Sequence, residues 1–385
     1  MNICGGECSG CGLCAAVCPA KAIGLQPDNG GFLYPVIDPA RCTGCMLCRK
    51  SCPVNRAKEK SGTPESQHCY YAIAADGDMV TTASSGGVFP MLAKQVLSRH
   101  GAVVGAAFDR NFAVKLVLIE HEKDLGQLLQ AKYVQSEVPA ELFQQVLEVL
   151  KSGRRVLFSG TPCQIAALKS FLKGREYPEL LCAEVICNSV PSPGVWQSYL
   201  HHIAAQTGDT VKQVAFRDKS DGWHKFALVI DCGKVKVAQC HKDSPYMRLF
   251  LQKLISRKSC TDCQFKCGRS GADISLGDFW KLHKIAPELN NHTGASMAIT
   301  HTAAGEKALR AGDFAAFQEF PMSAVKLSNP RFFQSLESNP LRDKYFEKFA
   351  AQNQQWFAPD EFLDKHSKNN LWHRLCNFFK SLCPG

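Results

Sequence analysis

CSGCGLCAAVCPAKAI at residues 8–23 returns as CTGCMLCRKSCPVNRA at residues 42–57. Each copy carries C-x2-C-x2-C-x3-C-P, the spacing in which three cysteines wrap one 4Fe–4S core and the fourth ligates the other. The expected ligand sets therefore cross: Cys8, Cys11, Cys14 and Cys52 for one cluster, and Cys42, Cys45, Cys48 and Cys18 for its neighbour. Pro19 and Pro53 turn the chain away after each fourth cysteine. Gly12 and Gly44 permit tight loops whose N–H groups face the inorganic sulfides. Two zinc ions are the alternative occupants of eight thiolates, but zinc ribbons rarely place three cysteines in a row before Cys-Pro. Cys4 falls outside the pattern and receives no role.

Working outward, nine of the chain's 20 cysteines lie in residues 1–56. A segment of that size buries too little apolar surface to fold alone, so metal staples replace the missing core. The opening residues MNICGGEC show neither the charged nor the apolar region of a secretory signal, and no apolar run is long enough to span a bilayer. With so many thiols in metal-type spacings, the expectation is a reducing, cytoplasmic setting. The formal charge is +10, falling to about +6 once two clusters of net charge near 2− are bound. That excess suits an acidic cofactor or redox partner, or simply a solubilising surface. No basic stripe interleaved with aromatics suggests nucleic acid.

The polar stretch RAKEKSGTPESQ has the composition of a linker. Beyond it strand-like runs (70–74, 102–108, 114–120, 155–160, 180–187) alternate with helix-like runs (88–100, 139–151, 162–173). This predicts an α/β domain with a mostly parallel sheet. Residues 226–240 read as a later hairpin turning at Cys232-Gly233-Lys234. The fold class expected is thus an α+β ferredoxin-like two-cluster module, an α/β domain with a mostly parallel sheet, and a helical C-terminal tail. The boundaries are 1–56 for the module, 57–68 for the linker, 69–310 for the α/β domain and 311–385 for the extension. Its last amphipathic stretch, 371–383, suits packing on the domain, a membrane surface or a partner.

Ser85-Gly86-Gly87 precedes a helix whose N–H groups and dipole favour a phosphate, although a plain N-terminal turn reads the same way. SGTPCQ (159–164) joins a buried strand to a helix, where ligands gather outside strand carboxyl ends. Cys187 follows the next strand, and Cys260-x2-Cys263-x3-Cys267 sits in a polar run. Together these cysteines suggest a third metal centre, with buried inert thiols as the alternative.

SSGGVF (84–89), VVGAAFD (103–109), KYVQS (132–136), VLFSGTPCQIAAL (156–168), CNSVPSPGVW (187–196), FRDKSDGW (216–223), SCTDCQF (259–265) and ADISLGDFW (272–280) occur in order. In these segments the sequence resembles the beta-subunit family of coenzyme F-420 hydrogenases and dehydrogenases, iron–sulfur flavoproteins. The resemblance implies FAD in the α/β domain, held through Ser85, Gly86, Gly87, Lys132, Ser159, Gly160, Thr161 and Gln164. Lys132 would neutralise a phosphate or the charge of the reduced flavin. It also implies a proximal 4Fe–4S centre on Cys163, Cys187, Cys260 and Cys263, with Cys267 a spare or a replacement. Family members commonly carry His-Gly where this chain has Asn188-Ser189, which leaves the role of that His open.

The expectation is an iron–sulfur, flavin-dependent oxidoreductase passing electrons between a one-electron carrier, 4Fe–4S clusters, FAD and a two-electron substrate. A deazaflavin coenzyme is one candidate substrate. The partner expected is a ferredoxin or another oxidoreductase subunit. The alternative is a non-enzymatic electron-transfer subunit that wires a separate catalytic partner and needs no flavin.

Overall fold

The computed structural model describes residues 3–57, 64 and 66–362. Most of the linker and the stretch 371–383 lie outside the described residues. Thirteen strands are present among those described: β1 (Ile23–Pro27), β2 (Leu33–Ile37), β3 (His68–Ala74), β4 (Ala102–Phe108), β5 (Val114–Ile119), β6 (Val156–Gly160), β7 (Leu180–Val185), β8 (Gln213–Asp218), β9 (Ala227–Asp231), β10 (Lys236–Cys240), β11 (Ile274–Asp278), β12 (Ser296–Thr300) and β13 (Phe314–Phe320).

Eight of them form one sheet in the order β13-β3-β12-β11-β7-β6-β4-β5. The four central strands, β11, β7, β6 and β4, pair in parallel, while the flanking pairs are antiparallel. Following those pairings, β3 runs with the central four, so five strands deliver their carboxyl ends to one edge. The strands are near-continuous apolar runs because both faces are covered. Val103 and Leu157 pack with Leu92 and Val96 of the helix Val88–Leu97 on one face. Their neighbours Val104, Val156 and Phe158 pack with Phe143, Val146 and Ile165 of helices Leu142–Lys151 and Pro162–Phe171 on the other.

The expected 226–240 hairpin is present as β9 and β10, and it joins β8 in a separate three-stranded sheet. One expectation needs correction. Residues after 311 do not begin as helix: Phe314–Phe320 is an edge strand of the main sheet. Phe314, Phe317 and Phe320 recur every third residue, a helix-like period. Pairing with β3 and stacking of Phe317 on Tyr70 (4.8 Å between ring centres) override it. Helices Met322–Ser328 and Arg342–Ala351 follow.

The N-terminal module is a β1–β2 hairpin with short helices Leu13–Ala16, Leu47–Ser51 and Pro53–Ala57. It is packed into the larger domain rather than hung from it. Cys11 and Leu13 belong to the core beneath helix 142–151. Phe32 meets Phe346 at 5.7 Å. At the hairpin tip a Cβ on Gly31 would stand 2.4 Å from Gly194 Cα, so the two backbones touch there. Ser192 donates its hydroxyl to Gly30 O and accepts from Val195 N–H, capping the helix Pro193–Thr207 against the module.

Candidate functional site

Within the module the doubled cysteine run makes two pockets' worth of sulfur. Cys18, Cys42, Cys45 and Cys48 line one cavity together with Ala22, Ile37 and Gly44. The loop bends sharply enough because Gly44 and Met46 take left-handed φ of 69° and 61°. There the Leu47 N–H holds the Cys45 thiol below its ordinary value, whereas burial raises Cys48. In the second set Cys8, Cys11 and Cys14 act on one another electrostatically, and Cys52 registers Cys11. Burial pushes the Cys14 thiol up to about 12. Cys14 also registers Cys48, so the two sets adjoin. The structure thus brings Cys18 to the 42–48 run, while Cys52 and Cys8 touch one apolar cluster.

A third group forms at the sheet edge. Cys163 lies in the first turn of the helix Pro162–Phe171, fixed by a capping box in which Thr161 N–H donates to Gln164 Oε1 at 2.9 Å. Cys187 lies two residues beyond β7, the parallel neighbour of β6. Cys260 and Cys263 come from the tight turn Lys258–Asp262. All four line one cavity, whose wall also includes Gly6, Glu7, Ser9 and Val54 of the module. Burial pushes Cys163 up to about 12 and raises Cys187 and Cys260 as well, so bare thiolates are disfavoured there without positive charge. Cys267 stands apart, its thiol directed to Phe333 O at 3.7 Å. Among the described residues no three Cys, His, Asp or Glu side chains converge tightly enough for a single ion. These cysteines surround open space instead of meeting at a point.

Cys4, to which spacing assigned nothing, is buried with its sulfur 3.9 Å from that of Cys52. It packs with Val54, Ala166 and Phe265 in an apolar cluster that Cys8, Cys52, Cys163 and Cys263 also touch. That cluster joins the inner cysteine set of the module to the sheet-edge cavity.

Further along the same edge, Ser85, Gly86 and Gly87 are placed by β12. Gly86 donates its N–H to Ser296 Oγ (3.0 Å), and a Cβ on it would sit 2.3 Å from Ala72 O. Gly86 is therefore needed for close packing, and its N–H is already committed. Ser85 Oγ bonds the same Ser296 hydroxyl at 2.9 Å, while Gly87 starts the helix with φ of 82°. The Ser296 end of β12, which holds Ser85, and β6, which leads into the Ser159–Gln164 loop, are three strand spacings apart, roughly 14 Å. Residues 131–136 bridge them: Ala131 N–H donates to Ser84 Oγ at 2.7 Å, and Ser136 Oγ accepts from Gln164 Nε2 at 2.8 Å. Lys132 lies in this bridge, its Nζ 2.9 Å from Leu129 O and 5.5 Å from the centre of the Phe108 ring. Burial pulls it down to about 8.

Residues 153–320 match the family model for the C-terminal part of the coenzyme F420 hydrogenase/dehydrogenase beta subunit, and residues 7–56 match a 4Fe–4S dicluster domain. No curated protein matches the chain. A chain of the F420-reducing [NiFe] hydrogenase complex from Methanosarcina barkeri, solved after xenon derivatization, shares 17% identity with a TM-score of 0.44, over 76% of this chain and 89% of that one. No helix among the described residues is long and apolar enough to cross a membrane.

In the matched region the residue that ties the motif segments together is Arg217, to which the sequence reading assigned no role. Its buried guanidinium bonds Asp278 Oδ1 (2.8 Å), Ser84 O (2.9 Å) and Tyr133 Oη (3.2 Å), and lies over the Phe226 ring at 4.0 Å. Trp223 donates to the same Asp278 oxygen at 2.8 Å and stacks on Trp280 at 4.9 Å. Lys219 Nζ is held by Val80 O (2.6 Å) and Thr293 O (2.9 Å), and burial pulls it down to about 8. Only the joint presence of FRDKSDGW and LGDFW signalled this knot.

Proposed function

We propose that the chain is an iron–sulfur flavoprotein that passes electrons between an external one-electron carrier and a two-electron substrate bound beside FAD. The observation that carries this reading is the meeting of Cys163, Cys187, Cys260 and Cys263 around one cavity walled on its far side by the dicluster module. Four thiols on open space, enclosed enough to resist ionisation alone, are a donor set suited to a 4Fe–4S core. Those four residues would hold a third centre, beside the sets headed by Cys8 and Cys42.

FAD, when bound, supplies the exchange between single electrons and electron pairs. Ser85, Gly87, Lys132 and the Ser159–Gln164 loop would hold it along the carboxyl edge. The separation of these loops suits an elongated dinucleotide. Among the described residues Lys132 meets the carbonyl oxygens of Leu129 and Gln130 and the Phe108 ring, so its charge is available to a phosphate or a flavin carbonyl. Arg217 fixes Ser84, Tyr133 and Asp278 in one arrangement and so shapes the loop beside that ligand. The two-electron substrate is proposed as an acidic hydride carrier, of which a deazaflavin is one example. The external partner is proposed as a ferredoxin or an oxidoreductase subunit docking near the exposed Cys42 and Cys45.

The test is anaerobic purification with counts of iron, acid-labile sulfide and flavin. About 12 irons and one FAD per chain are expected, from three four-iron sets. About eight irons would remove the third centre, and protein that takes up no added FAD would leave a wiring subunit.

A further inference from the structure

Two buried cations stand by the sheet-edge cavity, and among the described residues neither has a carboxylate oxygen within salt-bridge distance. Lys266, which lines the cavity, is 5% exposed, and its Nζ is held by Cys187 O (2.7 Å) and Arg331 O (2.7 Å). Arg257 is 0% exposed. It donates to Cys8 O (2.7 Å), Leu33 O (3.0 Å) and Gln135 Oε1 (3.0 Å), with Tyr34's ring at 4.1 Å. Arg217, the third enclosed cation of the domain, has Asp278. Carboxylates do occur at the cavity wall, but Glu7 is paired with Lys258 at 3.1 Å and Asp262 is exposed. Glu184 registers Lys266, yet its own burial favours the neutral acid.

An unpaired buried charge costs several kcal/mol in ordinary circumstances. These two are retained where four thiols gather. Lys266 Nζ donates to the carbonyl of Cys187 and Arg257 to that of Cys8, so both cations are fixed against the backbone of cysteine-bearing loops. We propose that Lys266, aided by Arg257, is the fixed counter-charge that sets the reduction potential of the centre on Cys163, Cys187, Cys260 and Cys263. This rests on the third centre proposed above.

The charge balance gives the direction. Four thiolates around a 4Fe–4S core carry a net charge of about 2−, which becomes about 3− when one electron arrives from a one-electron donor. No bond forms and no proton moves. Burial opposes the added negative charge, and a cation held in the same low-dielectric surroundings favours it. Lys266 therefore raises the potential of this centre above what its enclosure alone would set. The Cys42 and Cys45 set, with both thiols exposed, has no cation among the described residues that line its cavity. The sheet-edge centre is thereby made the favoured resting place for an electron delivered through the module.

The experiment is a dithionite titration of the full chain, followed by electron paramagnetic resonance, for the wild type, Lys266→Met and Lys266→Arg, with iron counted in each. In Lys266→Met at full iron content, one signal should fall in midpoint by at least a factor of ten in its one-electron equilibrium, about 59 mV. The other two should stay in place, and Lys266→Arg should restore the first. If Lys266→Met loses iron, Lys266→Gln is titrated and read in the same way. An unmoved midpoint, or equal shifts of all three signals, overturns the assignment. A wild type holding only about eight irons withdraws the third centre itself and this inference with it, a result distinct from three centres with unmoved potentials.

Discussion

Glu184 illustrates how one enclosed side chain makes the whole protein sensitive to pH. Its carboxyl accepts from Ser275 Oγ at 2.6 Å and from Ser270 Oγ, and Ser275 in turn meets His301 Nε2 at 2.7 Å. Gln67 Nε2 lies 3.1 Å from His301 Nδ1, which fits donation along the series Gln67, His301, Ser275, Glu184. Burial raises Glu184 from 4.5 to about 7, and it lowers His301 from 6.5 to about 4. A raised acid binds its proton more tightly in the folded chain. The stability Glu184 contributes is full below pH 4.5 and is lost as pH rises through about 7. His301 acts oppositely: its contribution is present above pH 6.5 and is lost as pH falls through about 4. The two oppose each other between 4.5 and 6.5, and above that Glu184 acts alone. Thermal unfolding should therefore show the wild type losing stability between pH 6.5 and 8 relative to Glu184→Gln. Parallel curves for the two proteins over that range would contradict the linkage.

Among the elements, the helix Pro162–Phe171 does most to place the candidate site. Thr161 caps it, Pro162 starts it, and Cys163 is thereby held at its first turn. Replacing Thr161 by Ala removes the side-chain half of the capping box. It should cost about 1 kcal/mol of stability. Because Cys163 follows within two residues, iron retained after gel filtration should fall along with the melting temperature. Full iron retention in a destabilised variant would show that the cap serves the helix alone. This element is legible in the sequence, since a buried strand, Gly160, Thr161 and Pro162 announce a strand-to-helix turn. The hairpin at 226–240 is legible too. Its membership of a separate sheet is not, because sheet membership depends on pairing partners distant in the chain. Phe314–Phe320 misleads for the same reason: its period looks helical until β3 offers an open edge. Twelve candidate cysteines can be picked out from spacing and resemblance, whereas Arg217, Lys266 and Cys4 cannot. A lone cation or thiol has no pattern until folding shows what surrounds it.

For the whole molecule, the feature with the widest reach is the seating of the module. Gly31 has φ of 76°, and a Cβ there would stand 2.4 Å from Gly194 Cα and 2.6 Å from its nitrogen. Gly31→Ala combines a left-handed cost of about 1–2 kcal/mol with overpacking of about 1–3 kcal/mol. It should loosen the seat: hydrogen exchange should rise both in residues 28–34 and at the start of the helix Pro193–Thr207, while the module keeps about eight irons. Exchange that rises in only one of the two segments would mean that they are not coupled through this contact. The seat also joins parts of the sequence that lie far apart: Gly31, Phe32 and Leu33 are closed over by Gly194, Phe346 and Arg257. The hairpin therefore reaches its final surroundings only once those distant segments have packed on it, which makes the cysteine module and the larger domain interdependent in stability.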